Sequence, residues 1–174
     1  MIHPVLDCVL DWQRDHPGVE VTRVVVRGNP LLAHRTDRPE ISTGRESQVS
    51  VQHALAAALV HGKTGIDQFT DACVNDPRVK ALRRKVEVLR DETFSTIAAA
   101  VEITGADGGV YHLSQTAARG SDVNPMSDEN LEQKLRTAAA SWNPKADVAP
   151  LIDAVWSLDK SEDVSRLASL AVPD

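Results

Sequence analysis

Six histidines are the residues of this 174-residue sequence best able to exchange protons at neutral pH. Imidazole is the side chain whose ordinary pKa, about 6.5, falls in that range. His3 stands just before Pro4, a residue favoured in the first turn of a helix, where its missing N–H costs nothing. A ring at a helix start has no preceding turn to pack on and is free to point at a cleft. His53 lies inside an Ala- and Leu-rich stretch, so it is expected to be buried or to line a pocket. A hydrogen-bonded structural role and a catalytic role both remain open for it. His16 and His34 read as solvent residues, and His112 falls on the polar side of a strand. His61, at a helix end, favours the helix dipole.

Other chemistries find little footing. Gly62-Lys63-Thr64 looks like the end of a phosphate loop, but that loop needs a glycine five residues before Gly62, where Ala57 stands. His53 and His61, eight apart, would be about 12 Å apart along one helix, too far for a single ion. Cys8 and Cys73 have no near partner in sequence, so no metal and no cofactor is expected. There is no G-x-S-x-G elbow. Arg78, Lys80, Arg83, Arg84 and Lys85 form the one basic cluster and read as a solvated helix face. No aromatic platform accompanies them and the net charge is -6, so no nucleic-acid partner is expected.

The elements that must position these residues follow from periodicity. A helix is expected from Pro4 to about Asp15, with Val5, Leu6, Val9, Leu10 and Trp12 as its apolar stripe. Ser47 or Ser50 caps a second, apolar helix that Gly62 stops. Asp76-Pro77 opens another, with Val79 and Leu82 inward and Arg78, Lys80, Arg83 and Arg84 outward. Strands are predicted at 19–26, 85–89, 96–104 and 110–117, the last two as a hairpin. Two polar loops, 33–44 and 119–126, are long enough to be functional. Ser127, Asp147 and Ser161 open three closing helices. The fold class is therefore α+β: a small, largely antiparallel sheet with helices on one side.

The apolar fraction of 42% and the charged fraction of 25% are those of an ordinary globular domain. No apolar run is long enough to span a membrane. Asp7 and Asp11 interrupt the opening apolar run, and no basic leader precedes it, so it is not read as a secretion signal. Two cysteines make no disulfide framework and fit a reducing, cytoplasmic setting. A helix beginning almost at residue 1 suggests either an abrupt domain start or a piece of something longer.

The stretch from Glu46 to Gly62 resembles the signature helix of the MmgE/PrpD family. Phe69 and Asn75-Asp76-Pro77-Arg78-Val79 are similar to the segment that follows it there. So are Gly120, Asn124-Pro125-Met126-Ser127 and Lys134 further on, and His3-Pro4-Val5-Leu6-Asp7 at the start. One departure is Gln48-Val49 ahead of Ser50, where the family commonly has lysine-phenylalanine.

The resemblance implies a lyase or epimerase without a cofactor, acting on di- or tricarboxylates by proton abstraction beside a carboxylate. It also implies a lid-like α+β domain, here 1–140, with closing helices 141–174 that belong to a helical domain lying outside this chain. His3 matches an active-site histidine on the lid side, and His53 is a second catalytic candidate. Arg45, Ser50 and Arg119 are candidate substrate-binding residues; the arginines would neutralise carboxylates. The implied partners are a small carboxylate substrate and a homo-oligomer or the missing helical domain, and the chain alone would be inactive. The alternative is a non-catalytic binding or assembly module derived from the same domain.

Overall fold

The computed structural model describes residues 1–172. They form two compact units, one of residues 1–125 and one from Met126 onward. The helix at 128–142 lies in the second.

The first unit is a four-stranded sheet with helices against one face. Its strands are β1 (Val21–Gly28), β2 (Val86–Arg90), β3 (Ala99–Gly105) and β4 (Val110–Gln115), in the order β2-β1-β3-β4. β1 pairs parallel with β2 and antiparallel with β3, and β3 pairs antiparallel with β4. Two rows of apolar side chains cross the sheet on its inner face. Val86, Val24, Ile103 and Tyr111 make one; Val88, Val26, Val101 and Leu113 make the other. The row between them, Glu87, Val25, Glu102 and His112, faces the opposite way. Its charges are tied by Arg23 to Glu87 at 2.6 Å and to Glu102 at 3.7 Å. This period-2 alternation is what the sequence predicted. The expected 96–104 strand begins later, at Ala99, and leaves Ile97 exposed.

Helix α1 (His3–Asp15) lays Val5, Cys8, Val9 and Trp12 on the inner face, the i, i+3, i+4 spacing of an amphipathic helix. Trp12 stacks on His16 at 5.3 Å and meets Tyr111 of β4 edge-on at the same distance. His16, read from sequence as a solvent residue, is therefore half-buried, with Nδ1 3.0 Å from the Trp12 carbonyl.

The polar stretch 33–44 is not one long loop. Asn29 caps a short helix, α2 (Pro30–Thr36), by accepting from the Leu31 N–H, and Pro30 occupies its first turn. The Asn-Pro start signal was present; the polar residues after it disguised the helix. A second short helix, α3 (Gly44–Ser47), closes the segment with a capping box between Thr43 and Glu46.

Helix α4 (Val51–His61) follows directly. Its first eight residues are all buried, and Gly62 ends it in the left-handed conformation with φ 69°. After a 3₁₀ turn at Ile66–Phe69 come α5 (Asp71–Asn75) and α6 (Pro77–Arg83). α6 runs back along α4. Cys73, just before it, is 3.7 Å from His61 at the end of α4, and Val79 packs against Ala56 and Ala57.

The second unit holds α7 (Asp128–Trp142), α8 (Ala149–Trp156) and α9 (Ser165–Ala171). Ser127 caps α7 as expected. Ile152 and Ala154 of α8 are buried, whereas α7 buries none of its residues. Trp156 Nε1 donates to Glu132 at 3.0 Å. No described helix is long and apolar enough to cross a membrane.

Candidate active site

The polar stripe of α1 is the first of two places where predicted site residues gather. His3, Asp7 and Asp11 are four apart and so share one helix face. Pro4 is buried under the helix start while His3 is exposed. Arg119 meets this stripe from the loop after β4. Its backbone N–H donates to Asp7 Oδ2 at 2.8 Å, and its Nη2 donates to Asp11 Oδ1 at 3.3 Å. Asp11 also accepts from Arg14 at 2.9 Å. The result is an accessible imidazole one helical turn from a carboxylate, with a guanidinium beyond it. Such a set can carry a proton and hold an anion. Asp7 and Asp11 were legible only as breaks in an apolar run; their four-residue spacing from His3 was the signal for a shared face.

The second place is the start of α4. Ser50 is fully buried and caps the helix: its Oγ accepts from the His53 N–H at 3.1 Å and donates to the Arg38 carbonyl at 2.6 Å. Its hydroxyl proton is thereby committed to backbone. His53 is fully buried, with Nε2 2.7 Å from the Gln68 carbonyl and its ring 5.8 Å from that of Phe69. Burial, countered in part by the Gln68 hydrogen bond and reinforced by the charge of Arg83, holds its pKa below the ordinary histidine value. Arg45 is exposed on α3. Gly44 beside it sits against the Phe69–Thr70 backbone, so close that an added Cβ would lie 2.5 Å from the Phe69 oxygen, while its N–H donates to Asp71 at 2.6 Å. The described hydrogen bonds and ion pairs join Arg119 to the α1 stripe and Ser50 to His53, and none links one group to the other.

Two sequence readings need correction. Arg83 does not face outward with Arg78, Lys80 and Arg84: it is only 7% exposed. It lies four residues after Val79 and so shares that residue's buried face, which the spacing already implied. Cys73 does have a near partner, the Nε2 of His61 at 3.7 Å. Both thiols are held protonated. Burial, then Asp7 and Asp11, pushes Cys8 up to about 12, and burial, then Asp76, raises Cys73. Among the described residues no group of three or more His, Cys, Asp or Glu side chains gathers as a metal site.

This geometry can be set beside known proteins. The model of the MmgE/PrpD C-terminal domain matches residues 1–160, and the chain belongs to that family. It is 28% identical over 158 residues to a cis-aconitate decarboxylase of Mus musculus, which covers 88% of this chain and 32% of the relative. A cis-aconitate decarboxylase of Aspergillus terreus is 32% identical over 131 residues, 71% of this chain and 26% of the relative. A mitochondrial 2-methylcitrate dehydratase of Yarrowia lipolytica is 39% identical over 69 residues, 34% of this chain and 13% of the relative. The chain thus spans about a third or less of the length of these curated relatives.

Proposed function

We propose that this chain is the lid-side part of a cofactor-independent lyase or epimerase acting on small di- or tricarboxylates. In this reading the remaining site residues come from a helical domain outside the chain, and the chain alone is inactive. The observation that carries it is the α1 stripe, an exposed His3 one turn from an Asp7 that is held by Arg119. Membership of the family and the names of the relatives support the reaction class.

His3 takes or returns the proton on the carbon beside a substrate carboxylate. Once the C–H pair of electrons is released, the carbanion is quenched in one of two ways. It expels hydroxide, which leaves with a proton as water, or it is reprotonated from the other face. In decarboxylation the order reverses: CO₂ departs and His3 delivers the proton to the carbon left behind. Each path develops negative charge next to a carboxylate, which a cation must stabilise. Arg119 and Arg45 are the proposed cations, with Arg119 better placed because it already borders the stripe.

Ser50 and His53 take no chemical step in this reading: the Ser50 hydroxyl is on backbone and the His53 ring is enclosed. Two buried cysteines held as thiols fit a cytoplasmic setting. The test is reconstitution. The chain is mixed or co-expressed with the N-terminal helical part of a relative and assayed on citrate-like acids. Turnover by the mixture and none by either part supports the reading. A well-folded complex inert on the whole panel overturns it.

A further inference from the structure

His53 and Arg83 hold two buried nitrogens, His53 Nδ1 and Arg83 Nη1, that have no hydrogen-bond partner in the structure. His53 is fully buried and Arg83 is 7% exposed. Buried polar atoms are nearly always paired, so two such atoms on neighbouring helices call for a common explanation.

The chemistry of the two groups is complementary. The Gln68 carbonyl can only accept, so His53 Nε2, 2.7 Å from it, carries the hydrogen. In the neutral ring Nδ1 is then a bare lone pair. Arg83 Nη1 is a donor on a group that stays charged throughout the accessible pH range. The helix geometry puts them at the same end. α6 runs antiparallel to α4, with His61 beside Cys73 and Ala57 against Val79. One turn back from Ala57 is His53; one turn on from Val79 is Arg83.

We infer that Arg83 is a positioning residue: it acts across the α4–α6 contact on the bare Nδ1 of His53. It thereby keeps that ring neutral, with its Nε2–H on the Gln68 carbonyl. The other tautomer would set a ring lone pair against the carbonyl oxygen. An imidazolium would bury a second cation beside the guanidinium with no acceptor for its Nδ1–H. The charged or titratable groups acting on the ring are Arg83 from α6 and His61 from its own helix; Gln68 and Phe69 contribute a carbonyl and an aromatic ring. His53 in this account is a fixed strut between α4 and the 66–69 turn, not a base that cycles protons. Arg83 stands where the sequence showed only one more basic residue.

The test is ¹⁵N NMR of the histidine rings in the chain itself, which needs no activity and so stands apart from the proposed reaction. The expected spectrum has His53 with a pyrrole-type Nε2 and a pyridine-type Nδ1, and this pattern persists well below pH 6.5. Arg83→Met should raise the midpoint of His53 titration by roughly half a pH unit or more, because it removes a charge that disfavours the imidazolium. Arg83→Lys should restore it. If Arg83→Met does not fold, Arg83→Gln, which keeps a polar tip and loses the charge, takes its place, with the same rise expected and an unmoved midpoint overturning the inference. An Nδ1–H tautomer overturns the inference, as does a wild-type ring titrating at the ordinary value, or an unmoved midpoint in a folded Arg83→Met.

Discussion

Ser50 accepts from one backbone N–H and donates to one backbone carbonyl, both inside the protein, so its replacement is felt as stability rather than as substrate affinity. Ser50→Ala removes the α4 cap and leaves the Arg38 carbonyl short of a donor. A loss of about 1–3 kcal/mol is expected in urea denaturation, with Ser50→Thr losing less. An alanine variant of unchanged stability would contradict the capping role. His53 makes a second demand at this scale. Its pKa is lower in the folded protein than in the unfolded chain, so between the two values the unfolded chain binds the extra proton. The stability contributed by the neutral ring is fully present above the unfolded value of about 6.5. It is lost as pH falls through the lower folded value. Denaturation midpoints should therefore drop on acidification below pH 6.5 in the wild type and drop less in His53→Gln. Parallel curves for the two would count against a neutral, buried ring. Asp76, held near 2 first by its side-chain bond to Arg78, adds a separate loss only at far lower pH, below its unfolded value.

Packing between elements rests on a few close approaches. Gly44 lets α3 sit on the Phe69–Thr70 backbone, where an alanine Cβ would meet the Phe69 oxygen at 2.5 Å. Backbone cannot yield as a side-chain tip can, so Gly44→Ala should destabilise by about 1–3 kcal/mol and loosen the 66–75 segment. Hydrogen exchange of the amides of α5 would show it; wild-type protection there would mean that α3 moves freely. The sheet and its α1 and α4 cover were legible in the sequence. Alternation in Val101–Ile103 and Tyr111–Leu113 follows from burial on one face, as do Val5, Val9 and Trp12 of the expected α1 stripe; Cys8 joins them in the core, while Leu6 and Leu10 are only partly buried. What was not legible shares one cause. The short helices α2 and α3 have too few residues for periodicity to speak, and they announce themselves only through caps. The burial of Arg83 was implied by its spacing from Val79, but the place of that face against α4, like the His61–Cys73 pair, depends on how α6 folds back, a long-range fact that local spacing does not carry. The candidate site divides the same way. His3 was marked by its place before a helix-starting proline. The link from Arg119 to Asp7 spans more than a hundred residues and needed the fold.

At the scale of the whole molecule, the second unit leaves much apolar surface uncovered. Trp142 is 63% exposed, and Leu131, Val155, Trp156 and Leu158 are exposed as well. Large apolar patches seldom stay bare on a monomer, so the chain by itself should self-associate with rising concentration, and a helical partner should suppress this. Sedimentation that shows one monomeric species at high concentration would contradict it. His3 carries the proposed chemistry, and the most direct measurement is kcat of the reconstituted enzyme with His3→Ala. An exposed ring at a helix start buries little, so the variant should fold and assemble as the wild type does. Its kcat should fall roughly 10²-fold or more, the scale of losing a general acid–base group. An assembled His3→Ala enzyme that turns over at the wild-type rate would remove His3 from the chemistry.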